Sequence, residues 1–162
     1  PPGGRTNYGA LIDPPRPLPE LNLRQLDGSA VPSASLHGSW TMVQVDAGAC
    51  DAACEKKLWK MRQVRLTAGR DADRVRRLWL IVDEAPLATM LMREYDGTLF
   101  LRALPDEVAR YLPVADDPSA TLADHIWLID PLGNLMMRWP KDADPNRMKK
   151  DLGKLLKASG IG

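Results

Sequence analysis

The sequence predicts an α/β fold in which a central mixed β-sheet carries helices on both of its faces. The continuous apolar run at residues 78–82 is typical of a parallel strand that is buried on both sides. Segments with helical periodicity alternate with strand candidates of this kind along the chain. Residues 126–129 and 134–139 flank Asp130-Pro131-Leu132-Gly133, a type I turn signature, and therefore predict an antiparallel hairpin at the end of the sheet.

Length and composition favour one globular domain and exclude several classes of partner. A chain of 162 residues is long enough for one well-packed core, and its 44% apolar and 27% charged residues are ordinary for a soluble protein. The net charge of +1 gives no reason to expect a nucleic-acid partner. No apolar run approaches the roughly 20 residues that span a bilayer. We therefore expect membrane association only through an anchor that precedes residue 1.

Proline dominates the beginning of the chain. Six of the 14 prolines lie within the first 19 residues. Proline supports neither a helix interior nor a central strand. We therefore predict that residues 1–17 form a proline-rich tail or tether and that residues 18–162 form the domain.

The first half of the domain is predicted to contain a hairpin, a strand and a helix. Asp27-Gly28 between short apolar segments indicates a hairpin turn. Residues 40–45 are predicted to form a strand, and Asp51 is a suitable N-cap for the helix that follows. The helix is expected to bury a stripe at helical spacing, formed by Cys50, Cys54, Leu58, Met61 and Val64. The basic residues of this segment are expected to face water; they are Lys56, Lys57, Lys60 and Arg62.

The second half continues the alternation of strands and helices. Strands are predicted at residues 78–82 and 98–101, and helices at 86–95 and 105–111. Asp144-Pro145 indicates the start of a last helix after the hairpin. This order of elements is the arrangement of a thioredoxin-like fold.

The two cysteines, Cys50 and Cys54, are the candidate functional residues because they lie at the junction between a strand and a helix. The positive end of the helix dipole favours thiolates, while Asp51 and Glu55 oppose them. Side chains four residues apart share one helix face, so both sulfurs could bind one soft metal such as Cu(I). The pair could equally form a reversible disulfide, or be two small buried residues without a reactive role. The residues themselves leave these alternatives open.

Several motifs together resemble the Sco/SenC group of copper-handling, thioredoxin-like proteins of cytochrome oxidase assembly. The resemblance covers roughly residues 18–157. Its motifs are Leu36-His37-Gly38-Ser39-Trp40, the Cys-x3-Cys pair that opens a helix, the buried strand that ends at Asp83, and residues 127–134. The three-residue spacer between the cysteines is the most specific of them, because the hairpin motif occurs across thioredoxin-like proteins.

This sequence departs from the family pattern at three positions. Glu55 stands where a proline usually follows the second cysteine, and Leu122 stands where the histidine ligand is expected, five residues before Trp127. Ala123-Asp124 replaces the Thr-Pro pair of thioredoxins. His125, on the same strand face as Trp127, is therefore the candidate for the third metal ligand.

The resemblance implies an assembly factor for a respiratory oxidase. Such a protein would bind copper through Cys50, Cys54 and His125, or keep the metal-site cysteines of an oxidase subunit or other copper protein reduced. It also implies a periplasmic location, or one on the outer face of the inner membrane. Two alternatives remain: a thiol–disulfide oxidoreductase in which one cysteine attacks and the other resolves, and a metal-free binding module.

Overall fold

The structure, a computed structural model, describes residues 7–160 and Gly162. Its strands are β1 (Ala10–Pro17), β2 (Leu23–Arg24), β3 (Ala30–Val31), β4 (Trp40–Asp46), β5 (Val75–Ile81), β6 (Thr98–Arg102), β7 (Ile126–Ile129) and β8 (Asn134–Arg138). Its helices are α1 (Ala52–Leu66), α2 (Thr89–Glu94), α3 (Pro105–Tyr111) and α4 (Pro145–Ala158). No helix in the described part of the chain is long and apolar enough to cross a membrane.

The strands form one mixed sheet in the order β1-β8-β7-β4-β5-β6-β2-β3. The three strands β4, β5 and β6 run parallel, whereas β7 is antiparallel to both β4 and β8. Gly28 has a φ of 90° in the turn between β2 and β3, which explains why Asp-Gly marks this hairpin. The predicted mixed sheet of a thioredoxin-like fold is confirmed.

Alternating side chains of the sheet divide the interior into two cores. On the first face, Met42 of β4 packs with Cys54 of α1 and Leu152 of α4. On the second face, Val43 of β4 packs with Val108 of α3. Helices therefore cover both faces, as predicted, and a change of one residue along a strand moves a side chain from one core to the other.

Helix α1 begins directly after the first cysteine. Asp51 is its N-cap, as predicted, and its Oδ1 accepts a hydrogen bond of 2.9 Å from the backbone N–H of Cys54. Cys50 lies outside the helix, with a φ of 50°, so the buried helical stripe starts at Cys54 rather than at Cys50. The expectation that all basic residues of α1 face water is wrong, because Lys57 and Lys60 are buried.

The predicted N-terminal tail must be shortened. Residues 10–17 form β1, which pairs antiparallel with β8 at the edge of the sheet. An edge strand tolerates prolines because one side of its backbone needs no partner. The two residues before Ala10 are held by Asp151 of α4, which accepts hydrogen bonds from the backbone N–H groups of Tyr8 and Gly9. The domain therefore begins well before residue 18, while residues 1–6 of the predicted tail lie outside the described residues.

Candidate dithiol site

Cys50 and Cys54 are joined by a disulfide, with their Cα atoms 5.1 Å apart. They lie beyond the carboxyl end of β4 and at the N-terminus of α1. In open α/β sheets this end of the strands is the usual position of functional sites. The structure thus brings together the two cysteines that the sequence singled out.

The two sulfurs differ in accessibility. Cys54 is fully buried in the first core, whereas Cys50 is only half-buried. An incoming thiol or disulfide therefore meets Cys50 first. In thiol–disulfide exchange, such an asymmetry would suit Cys50 to attack and Cys54 to resolve.

The loop that carries Cys50 is held tightly against the loop after β5. The N–H of Gly48 donates to Asp83 Oδ1 at 3.0 Å, and a Cβ at Gly48 would lie 2.7 Å from the carbonyl oxygen of Ala85. The left-handed backbone of Cys50 is uncommon for a residue other than glycine, and such conformations occur often at functional sites. Asp83 therefore helps to fix the accessible cysteine.

Gln44 of β4 contacts the buried sulfur directly. Its Nε2 lies 3.4 Å from Cys54 Sγ, donates to the Cys54 carbonyl oxygen at 3.2 Å, and donates to Asp46 Oδ2 at 2.9 Å. Within the described residues its buried Oε1 has no hydrogen-bond partner. An amide donor at this position stabilises negative charge on the Cys54 sulfur when the disulfide is opened.

Asp46 and Lys57 form a buried ion pair behind Cys54. Lys57 Nζ lies 2.6 Å from Asp46 Oδ2 and also donates to the carbonyl oxygen of Ala123. Burial raises the pKa of the Asp46 carboxyl, although Lys57 and Gln44 partly oppose this shift. A buried carboxyl group with a raised pKa is suited to accept and return a proton.

Sequence reasoning missed this group of three polar residues, namely Gln44, Asp46 and Lys57. A signal was present, because Gln44 stands between the apolar Val43 and Val45, and Lys57 is next to Leu58 on the buried stripe of α1. Only the fold shows that the strand end and the helix converge on one sulfur.

His125, the predicted third ligand, does not join the cysteines. Its side chain lies on the sheet face of Trp127, with ring centroids 5.4 Å apart, and Trp127 belongs to the second core while Cys54 belongs to the first. Its Nδ1 is bonded to the carbonyl oxygen of Trp139 at 2.7 Å. The described residues contain no group of three or more His, Cys, Asp or Glu side chains that could hold a metal ion. In this structure His125 thus lies apart from the two cysteines, and the role of Cys50, Cys54 and His125 as metal ligands stays a prediction.

Comparison with solved structures shows the fold clearly. Yeast Sco1 with copper bound has a TM-score of 0.68 and 17% identity, with 90% of this chain and 91% of that chain covered. ScoI of Bradyrhizobium japonicum with copper bound has a TM-score of 0.59 and 23% identity over 88% and 98% of the two chains. A thiol:disulfide interchange protein from Bacteroides sp. has a TM-score of 0.61 and 16% identity over 90% and 91%. At these identities the likeness establishes the fold alone.

Comparison of the sequence itself gives a family. No curated protein matches the chain. The family model described as "Transmembrane-like, thioredoxin-like, C-terminal domain" matches residues 40–159, which is well over half of the chain and includes both cysteines. The chain therefore belongs to this family of thioredoxin-like C-terminal domains.

Proposed function

We propose that the protein is a Sco-like dithiol protein, in which Cys50 and Cys54 exchange electrons with the cysteines of a partner protein. The observation that carries this proposal is the asymmetric disulfide, with an accessible Cys50 joined to a buried Cys54 at the N-terminus of α1. The resemblance of the fold to copper-bound Sco proteins and to a thiol:disulfide interchange protein supports the same class of chemistry.

The proposed exchange passes two electrons and two protons to the partner. The thiolate of Cys50 attacks one sulfur of a partner disulfide, which forms a mixed disulfide and releases one partner thiol. The thiolate of Cys54 then attacks the Cys50 sulfur, which restores the Cys50–Cys54 disulfide and releases the second partner thiol. An external dithiol must reduce the protein again before the next cycle.

The buried polar group assists the second step. Cys54 must lose its proton before it attacks, and its sulfur lies in a site without water contact. Asp46 is the proton acceptor in this proposal, because it shares the Gln44 amide donor with the Cys54 sulfur. Lys57 holds the Asp46 carboxylate in place and limits the cost of its burial.

The partner in this proposal is a subunit of a respiratory oxidase or another copper protein, whose metal-site cysteines must be reduced before copper enters. The location in this proposal is extracytoplasmic, since a pair of cysteines that forms a disulfide suits an oxidising compartment. One protein of similar fold is described as a SCO1/SenC family lipoprotein from Bacillus anthracis, which supports a location in the periplasm or on the outer face of the inner membrane.

A second candidate function is the binding of Cu(I) as cargo. The observation that favours it is the juxtaposition of two sulfurs, which as thiolates are soft ligands that prefer Cu(I). Because the described residues supply no third ligand, such a site would consist of two thiolates alone or would be completed by a partner.

One set of variants separates these functions. Reduced protein is mixed with glutathione disulfide, and released glutathione is measured for the wild type, Cys50→Ser, Cys54→Ser and the control His125→Ala. We expect two thiols per protein from the wild type and the control. Either cysteine variant should release at most one thiol per protein, because its single cysteine can form the mixed disulfide but cannot resolve it. A dithiol that does not exchange would contradict the proposal and leave a binding module.

Anaerobic Cu(I) titration of the same proteins tests the second function, which requires one Cu(I) per reduced protein and loss of binding in both cysteine variants.

A further inference from the structure

A cavity lies on the sheet face opposite Cys54, near the beginning of β7 and the end of β8. Its volume is 280 Å³. The polar side chains around it are Tyr8, Asp117, Ser119, Asp124, His125, Arg138 and Lys141. Known ligand pockets range from roughly 300 to 1,000 Å³, so this cavity is suited to a small molecule rather than to a nucleotide or a larger cofactor.

His125 lines this cavity and has one ring nitrogen without a hydrogen-bond partner among the described residues. The residue is 4% exposed, and its Nδ1 is bonded to a carbonyl oxygen, which can only accept. Nδ1 therefore carries the proton, and Nε2 carries a lone pair. Burial lowers the pKa of His125, which keeps the ring neutral near pH 7. Among the described residues this buried Nε2 has no hydrogen-bond partner, which is a costly arrangement unless a ligand or water supplies a donor.

The ring of His125 is held in a fixed orientation. Trp127 packs edge-on against it, while the carbonyl oxygen of Trp139 fixes its tautomer. Rigid, buried polar groups of this kind are typical of the few polar contacts that orient a ligand in a pocket.

Charged groups of both signs surround the same cavity. The Nη1 of Arg138 donates to the carbonyl oxygen of Pro113, and the guanidinium lies over the ring of Trp127 at 5.9 Å. Lys141 Nζ lies 3.8 Å from Asp124 Oδ1, and Asp117 Oδ1 accepts from Ser119. Two cations and two carboxylates thus line the pocket, so its formal charge is zero.

We propose that this cavity binds a small zwitterionic amino acid. The carboxylate of such a ligand pairs with Arg138 and Lys141, while its ammonium group donates to His125 Nε2 and to Asp117 or Asp124. A simple anion would meet the two carboxylates, and a simple cation would meet the two basic groups. A ligand that carries both charges and a donor for His125 complements all of these groups at once.

The test uses the ring nitrogen of His125 in the full chain. Protein labelled with ¹⁵N at histidine is titrated with three ligands of similar size. L-alanine carries both a carboxylate and an ammonium group, propionate carries only the carboxylate, and ethylamine carries only the ammonium group. We expect a saturable shift of the His125 Nε2 resonance with alanine and at least a tenfold weaker response to the other two. Arg138→Met should weaken alanine binding at least tenfold. Arg93→Met, which removes an exposed cation outside the pocket, should not change it.

Three results would overturn this proposal. The first is the absence of a saturable Nε2 shift with alanine. The second is an equal response to propionate or ethylamine, which would show that one charged group is sufficient. The third is a shift of Nε2 on addition of Cu(I) without any response to alanine, which would restore His125 as a metal ligand. Because the wild type carries the main readout, the test stands even where a variant folds poorly.

Discussion

Among single residues, Gln44 is notable because its side-chain amide contacts the buried sulfur of Cys54. Its amide is in hydrogen-bond range of both Cys54 Sγ and Asp46 Oδ2. A residue of this type within a buried apolar strand is costly, because part of its amide stays unpartnered. In the proposed exchange, the contact of its amide with Cys54 would offset this cost.

Replacement of Gln44 by leucine tests this role. Gln44→Leu removes the donor to Cys54 and also removes the unpartnered Oε1, so the fold should tolerate it. A hydrogen bond to a charged group contributes about 1.5–3 kcal/mol, which corresponds to a loss of at least about tenfold in the rate of the resolving step. Rapid-quench measurement of mixed-disulfide decay checks this, with Gln25→Leu in the exposed hairpin turn as control. An unchanged decay rate would remove Gln44 from the mechanism.

Asp46 gives a prediction about pH. Burial raises its pKa in the folded protein above the value in the unfolded chain. The folded state then binds more protons in this range, so the stability contributed by Asp46 is fully present below about pH 4 and is lost as pH rises through the raised pKa. In urea unfolding between pH 3 and 8, the wild type should therefore lose stability relative to Asp46→Asn as pH increases. The opposite trend would show that the ion pair with Lys57 outweighs burial.

At the scale of elements, most of the fold could be predicted from the sequence because periodicity and turn residues identify each segment locally. The buried stripe of α1 and the Asp-Gly turn between β2 and β3 are examples. Strand β1 was missed because its prolines argue against a central strand, and nothing local shows that its partner is β8, more than 100 residues away. Asp151 makes long-range hydrogen bonds to the backbone of Tyr8 and Gly9, and these contacts hold the segment that leads into β1 against the domain.

Asp151 is therefore expected to be a strong determinant of stability. Its carboxylate accepts from the backbone N–H groups of Tyr8 and Gly9 and from the indole N–H of Trp139, all within 2.9 Å. Asp151→Ala leaves three donors without an acceptor, so we expect a loss of about 3 kcal/mol in the free energy of unfolding. Hydrogen exchange should also show faster exchange of the β1 amides.

The control for this prediction is Asp73→Ala, which removes a fully exposed carboxylate. It should leave both the unfolding free energy and the exchange of β1 unchanged. If Asp151→Ala behaved like this control, β1 would have to be held by its pairing with β8 alone.

Across the molecule, the sheet separates the cysteines from His125, because successive residues of a strand point to opposite faces. Cys54 packs on the face of Met42 and Leu128, whereas His125 packs on the face of Trp127. The sequence showed that His125 shares a face with Trp127, but not which core that face contacts. The face depends on the register of β7 against β4, in which Val43 pairs with Trp127. The pairing of two distant strands cannot be predicted from the local pattern of apolar and polar residues.

The disulfide links the redox state to the stability of the whole domain. Closure of so short a loop restricts the unfolded chain only modestly, and the chain-entropy relation gives about 2 kcal/mol. Urea unfolding should therefore show the oxidised protein to be more stable than the reduced protein by this amount. The double variant Cys50→Ser/Cys54→Ser should not respond to reductant. A reduced form of equal or greater stability would contradict this estimate.

In the proposed exchange, the accessible Cys50 attacks and the buried Cys54 resolves. Trapping of the mixed disulfide distinguishes these two roles. Reduced Cys54→Ser and Cys50→Ser proteins are each mixed with glutathione disulfide, and the adducts are measured by intact mass and peptide mapping. We predict rapid and stable addition of one glutathione at Cys50 in Cys54→Ser, and addition slower by at least about tenfold at Cys54 in Cys50→Ser, because its sulfur is buried. Equal or faster addition at Cys54 would contradict the claim.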